Sequence, residues 1–229
     1  MTTSGTYNYN PPLGEVTLFA FNRCGIRPTA LTQEHFQDAR TAANMICSDW
    51  SNRGVNLWGV QSFTVPFVQG QAAYSASATL VNILDLYVTV STSGPIINRY
   101  ILPISRTEFA SYSAPTQQGF PTTYWHERTL TPTINFWPTP DGNETSFTYW
   151  ALVQLQDAGF TGGQTPDMPY AWLAAFAYAM AAHLAIAWAP EKLMAIAPMA
   201  QQTYDAAAAT GVETAAFYLS PVLSGYWRN

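Results

Sequence analysis

Charge is what this chain has least of. Asp, Glu, Lys and Arg make up 10% of its 229 residues, against about 25% in an average soluble domain. The basic side is the thinner one, with eight arginines and one lysine, Lys192, and the formal net charge is −5. No basic cluster occurs along the chain. Neutralising phosphates takes clustered Lys and Arg, so the composition disfavours nucleic-acid binding as a main activity. A mildly acidic wall can still surround DNA without gripping it, because like charge keeps the duplex off.

Cysteine is nearly absent too. Cys24 and Cys47 are expected on two successive helices whose antiparallel pairing does not set them opposite each other, so they read as free, buried thiols. That suits a protein made in a reducing cytoplasm. Met1 to Pro12 lacks the basic region and apolar run of a signal peptide.

Catalytic signatures are missing as well. His35, His126 and His183 are scattered, with no His-x-x-x-His or Cys-x-x-Cys metal spacing. Gly162-Gly163 lacks the Gly-Lys-Ser or Gly-x-x-Gly continuation that phosphate binding needs, and there is no Gly-x-Ser-x-Gly elbow. Any two of the fourteen acids could converge as a carboxylate pair for glycoside hydrolysis, Asp141 with Glu144 or Glu127 with Asp157 for example. Pairs of that kind arise by chance in most proteins. His126-Glu127-Arg128 reads as a charged surface turn and His183 as a hydrogen-bonded interior histidine. The expectation is no enzyme, no cofactor and no metal.

Apolar residues, by contrast, make up 48% of the chain, and Phe, Trp and Tyr 14%. A chain this long can bury a sizeable core. Aromatics in such number fit either that core or extensive contact between subunits, where they are enriched. From Tyr170 to Ala189 twenty residues carry no formal charge, enough to span a bilayer. Ten are alanine, with His183 and two tyrosines among them, so a tightly packed soluble helix is expected instead, and no membrane.

The patterning divides the chain into helices, then strands, then helices. Met1 to Asn10 is a polar arm. Pro12 to Arg23 fits a short helix stopped by Gly25. Thr32 is placed as an N-cap with Glu34 in the first turn. Phe36, Ala39, Ala43, Ile46 and Trp50 then form one apolar stripe on a helix ending near Arg53 and Gly54. Phe63, Val65 and Phe67 alternate, as do Leu84, Leu86, Val88 and Val90, which marks strands. Arg106 to Tyr112 fits a short helix or a single turn. Further strands are expected at Thr122 to Glu127, Thr133 to Trp137 and Thr145 to Val153, with Asp141-Gly142-Asn143 turning between the last two. Pro169 fits the first position of a helix capped by Asp167. After Pro190 a second helical stretch runs to about Ala209, with Pro198 expected to kink or restart it.

The fold class is therefore α+β: a helical bundle made from both ends, with an inserted, mainly antiparallel β subdomain. The divisions are a polar arm over 1–11, bundle segments over 12–58 and 166–211, the β-rich insertion over 59–165, and a tail over 212–229. Phe217, Tyr218, Leu219, Val222, Leu223, Tyr226 and Trp227 make that tail too apolar for simple disorder.

Several motifs fall in a fixed order. Gly25-Ile26 closes the first helix, and Trp50, Gly54 and Leu57-Trp58 close the second. Gly70 and Tyr74 follow, then Leu102-Pro103 with Arg106 to Phe109, Gly119-Phe120-Pro121 with Tyr124, and Pro138-x-Pro140. Asp167-Met168-Pro169 and Tyr204 complete the series. From about Pro12 to Gly211 this resembles the head-to-tail adaptor (connector, neck) proteins of tailed bacteriophages. Ser75-Ala76-Ser77-Ala78 departs from the Leu-Pro-x-Asp run those proteins often carry after the tyrosine.

The resemblance implies a structural virion protein at the head–tail junction, made in the host cytoplasm. Members form a ring of about twelve copies, docked to the portal, in which each subunit offers two unlike faces. The ring extends the DNA channel, DNA passes its lumen without specific binding, and tail, nozzle or tail-tube proteins attach below. Trp50, Trp58, Trp172, Phe176 and Trp188 are then candidates for packing between subunits or within the bundle. The seven apolar tail residues are candidates for docking on the portal, with folding back on the bundle as the other option. Another neck or tail-tube completion protein is an alternative role, and a virion-associated peptidoglycan hydrolase a more distant one.

Overall fold

The computed structural model describes residues 5–55, 57–90, 95–114, 116–159 and 163–210. The N-terminal helices are α1, Leu13–Arg23, and α2, Gln33–Arg53. Pro12 occupies the N-cap position of α1, where its missing N–H costs nothing. Gly54 ends α2 in the left-handed region, φ 67°, a conformation that penalises any residue with a Cβ. At the other end of α2 the Thr32 N–H donates to His35 Nδ1 at 3.2 Å, and the Thr32 hydroxyl lies 2.7 Å from the same nitrogen.

The middle of the chain forms β1 (Val60–Pro66), β2 (Ala73–Ser75), β3 (Leu80–Val90), β4 (Ile97–Tyr100), β5 (Leu102–Pro103), a short helix α3 (Arg106–Ser111), β6 (Thr123–Glu127), β7 (Thr133–Trp137) and β8 (Glu144–Val153). They make two four-stranded sheets, β1-β8-β3-β4 and β2-β7-β6-β5. Every pairing is antiparallel except β5 with β6. The sheets meet in one core: Leu86, Val88, Phe147 and Tyr149 come from the first, Tyr74, Tyr124, Ile134 and Phe136 from the second.

Helices α4 (Tyr170–Trp188) and α5 (Pro190–Thr210) complete the fold. A second core joins Val16, Ala20 and Phe21 of α1, Ala43, Ile46 and Trp50 of α2, Trp172, Phe176, Met180 and Leu184 of α4, and Ile196 and Ala207 of α5. Helices from both ends of the sequence thus bury their apolar faces together, and the architecture is α+β. Residues 211–229, with the apolar tail positions Phe217 to Trp227, lie outside the described residues.

Five sequence expectations change. Leu84 is exposed and Ile83 buried, because β3 shifts register against β8 between Ile83 and Asp85 and turns the alternation over. The Asp141-Gly142-Asn143 turn joins β7 to β8 as expected, and in doing so carries the chain from one sheet to the other. Both edges of β8 are taken, by β1 and by β3, so β7 has no free edge of it to pair with. Asp167 does not cap α4: Pro169 holds the N-cap position, and the Asp167 carboxylate accepts from the Gln156 N–H at 3.3 Å. His126-Glu127 belongs to β6 rather than to a turn, with Glu127 Oε2 accepting from the Thr133 hydroxyl at 3.0 Å. His183 is exposed, lying off the α4 stripe that runs Trp172, Phe176, Met180, Leu184. Helix α5 continues through Pro198 as one element.

Candidate functional site

The aromatic residues singled out from the sequence gather along α4. Trp50 lies 5.0 Å from Trp172 and 6.1 Å from Phe176, ring centre to ring centre. Tyr204 of α5 closes the group, 5.9 Å from Trp50 and 5.7 Å from Trp172. Tilted and edge-on rings at these distances are favoured arrangements for aromatic pairs. Trp50, Trp172 and Phe176 are all buried by their own chain.

Trp58 sits where the chain leaves the helices for β1. Its ring is 5.2 Å from Trp172, and its indole N–H donates to the Asp167 carbonyl at 3.1 Å. The return crossing, between β8 and α4, is held as tightly. Asn44 of α2 grips Ala158 twice, accepting its N–H at 2.8 Å and donating to its carbonyl at 3.3 Å, and the Leu13 N–H donates to the Gln164 carbonyl at 2.8 Å. Both crossings between helices and sheets are therefore fastened to the helical core. At the far end of α4, Trp188 stacks on His35 at 3.9 Å and donates to Asp38 Oδ2 at 2.9 Å. His35 was not singled out by spacing, although its N3 position after Thr32 was a usable signal.

Outside this aromatic line, apolar surface is concentrated on α4 and beside it. Helix α4 is long and apolar enough by composition to cross a membrane, with mean hydropathy 1.5, and 44% of that stretch is buried inside the fold. Between α1 and α4 runs a groove of about 420 Å³, bounded by Pro11, Val16 and Phe19 on one side and Leu173, Ala174, Ala177 and Tyr178 on the other. Glu15 is its one acidic residue, and Tyr9 and Tyr170 stand exposed at its rim. On α5, Met194 and Met199 are exposed; Ile186 of α4 is too.

The candidate catalytic pairs do not make a site. Glu127 is engaged by Thr133 in the second sheet, whereas Asp157 lines a cleft with Cys47 and Leu13 beside the helical core. Glu144 is 5% exposed with no hydrogen-bond partner for either oxygen. Burial raises its pKa and the Asp141 carboxylate adds to that, outweighing the backbone N–H groups of Glu144, Asp141 and Gly142, which lie nearby but outside hydrogen-bond geometry. Asp141 is occupied by Asn143, whose backbone and side-chain nitrogens donate to it at 3.0 and 2.9 Å. His126 Nε2 is buried without a partner, and burial with the nearby Arg128 lowers its pKa. Cys24 and Cys47 are free and buried, and burial, with Asp167 and Asp157 adding, pushes Cys47 up to about 11. Such thiols are poor nucleophiles. Among the described residues no three His, Cys, Asp or Glu side chains could hold a metal ion together.

The buried aromatic cluster with the apolar groove beside it offers surfaces suited to packing and docking. The family comparison agrees with such a role. The chain belongs to the SU10 adaptor protein family, a family of phage head–tail adaptors, whose model matches residues 27–223. Among curated proteins, none matches the chain. The protein is accordingly a bacteriophage structural adaptor, a component of the virion, of a family typically without enzymatic activity.

Proposed function

We propose that this chain is the head-to-tail adaptor itself: a ring subunit beneath the portal that extends the DNA channel and presents the surface on which the tail attaches. The observation that carries the reading is the family match over residues 27–223, most of the chain. The low charge supports a lumen that passes DNA without gripping it, since a wall with a net charge of −5 per subunit offers the duplex no basic track. In this reading residues 12–58 and 166–211 form the bundle, 59–165 the inserted β subdomain, and 212–229 the portal-docking tail. The exposed residues of α4 and α5 pack against unlike faces of neighbouring subunits, which closes a ring of about twelve copies.

The test is the solution mass of the purified chain, alone and after mixing with the portal ring of the same phage. The expected result is a complex carrying a closed ring of copies on the portal. A chain that stays monomeric and ignores the portal would overturn the reading and turn attention to tail proteins. A second arm removes Ser220 to Asn229: retention of portal binding in that variant would refute the docking role of the tail while leaving the adaptor role in place.

A further inference from the structure

The groove between α1 and α4 is built to be filled. An α-helix that is apolar all round belongs in a protein interior, yet Ala171 and Ala174 of α4 are exposed along this groove. The chain itself contains a matching segment. Nineteen residues follow Thr210, where α5 ends, and Glu213 and Arg228 are the only charged ones among them. The groove has a single acidic residue, Glu15, which complements Arg228.

The reach is short. Tyr204 of α5 touches Trp172, so the C-terminal half of α5 lies beside the N-terminal half of α4, the half that lines the groove. The six residues from Gly211 to Ala216 extend about 20 Å at roughly 3.3 Å each. A helix with its side chains is about 10 Å across. Phe217 can therefore be delivered over α4 to the groove of its own chain.

We infer that the α1–α4 groove is the seat of the chain's own C-terminal segment, Phe217 to Trp227, with Arg228 set against Glu15. Seated there, the aromatic residues are kept from water in the free subunit, and any partner that takes the tail must first draw it out of the groove. The inference does not depend on that partner being a portal.

Thiol labelling of the full-length chain tests it. Cys24 and Cys47 are buried, so a cysteine introduced by Ala174→Cys reports on the groove alone. The comparison is between that chain and one also carrying Leu223→Ser, Tyr226→Ser and Trp227→Ser, with Ala195→Cys on the exposed side of α5 as the control. Maleimide labelling at position 174 should be about tenfold faster once the tail is weakened, with no change at position 195. Equal rates at position 174 would overturn the inference. A tethered segment acts at an effective concentration near millimolar, so the protection should be the same from about 1 to about 100 μM protein. Protection that appears only at the higher concentration would assign the groove to the tail of a second copy instead, and would also overturn the inference.

Discussion

The two cores are built in opposite ways. Between the sheets the filling is large and aromatic: Phe147 lies 4.7 Å from Phe136, 5.0 Å from Phe67 and 5.2 Å from Tyr74. Even the hydroxyls are used. Tyr74 donates to the Val68 carbonyl at 3.1 Å and accepts the Val68 N–H at 2.9 Å, while Tyr149 accepts from the Ser77 N–H at 3.3 Å. The helical core is instead lined with alanine, including Ala20, Ala39, Ala43, Ala175, Ala181, Ala185 and Ala207, with a few large rings as wedges. Alanine brings helices close together but covers little area. The sheets close a continuous core between them, whereas the helices leave an apolar groove; both halves carry exposed apolar side chains, Tyr170, Ile186 and Met194 on the helices and Ile97, Leu102 and Leu130 in the β half. What distinguishes the helical half is the concave apolar groove, a shape suited to receiving an apolar segment.

Truncation and enlargement should therefore affect the two cores differently. Phe147→Ala removes a fully buried ring with four aromatic neighbours and should cost about 4 kcal/mol by urea unfolding, since the sheets cannot close on the void. A loss below about 1.5 kcal/mol would mean the sheet core has slack, and the contrast would fail. In the helices the sensitive change is addition. Ala181 has no exposed surface and its carbonyl lies 3.6 Å from Cys24 Sγ, so Ala181→Leu should force α1 from α4 at about 2 kcal/mol. Ala187→Leu, six residues along the same helix but exposed, should stay within about 0.5 kcal/mol. Equal costs at the two positions would deny that small residues set the helix spacing.

Local signals served this chain well where one residue decides the outcome. Gly54 stops α2, Thr32 begins it, Ser105 caps α3 by accepting the Glu108 N–H at 3.2 Å, and β7 spans the predicted Thr133 to Trp137. The readings that changed needed a second segment. Leu84 and Ile83 exchange faces because of a bulge against β8, and a bulge leaves no local mark. Asp167 looked like a cap, but Gln156 N–H, eleven residues back, takes its carboxylate. His183 and His35 carry the same chemistry, and the packing of α1 and Trp188 buries His35 alone. The short strands β2 and β4 exist only as partners of β7 and β3. The groove is the extreme case, since its two walls lie more than a hundred residues apart in the sequence. The family was legible for the converse reason: its motifs are turns, helix ends and prolines, which sequence fixes locally.

The finest difference between the halves is electrostatic. The helical core encloses no unpartnered charge among its described residues, but Glu144 stands at the start of β8, buried and without a hydrogen-bond partner. Burial first, and Asp141 second, hold its pKa above the ordinary range. In the window between the unfolded value, about 4.3, and the raised native one, the folded chain binds more protons than the unfolded chain, so stability falls as pH rises through it. Above that window the ionised carboxylate is thus a burden, and Glu144→Gln should make the protein slightly more stable there. On acidification the wild type recovers that deficit as Glu144 protonates, and the advantage of the variant should shrink. His126, whose lowered pKa makes acid destabilising in both chains, cancels in the difference. Urea melts of the two proteins at several pH values give this difference directly. A gap that stays constant, or widens in acid, would show that the backbone N–H groups at Asp141, Gly142 and Glu144 hold the ionised carboxylate well, and that the sheet half tolerates buried charge better than its aromatic packing suggests.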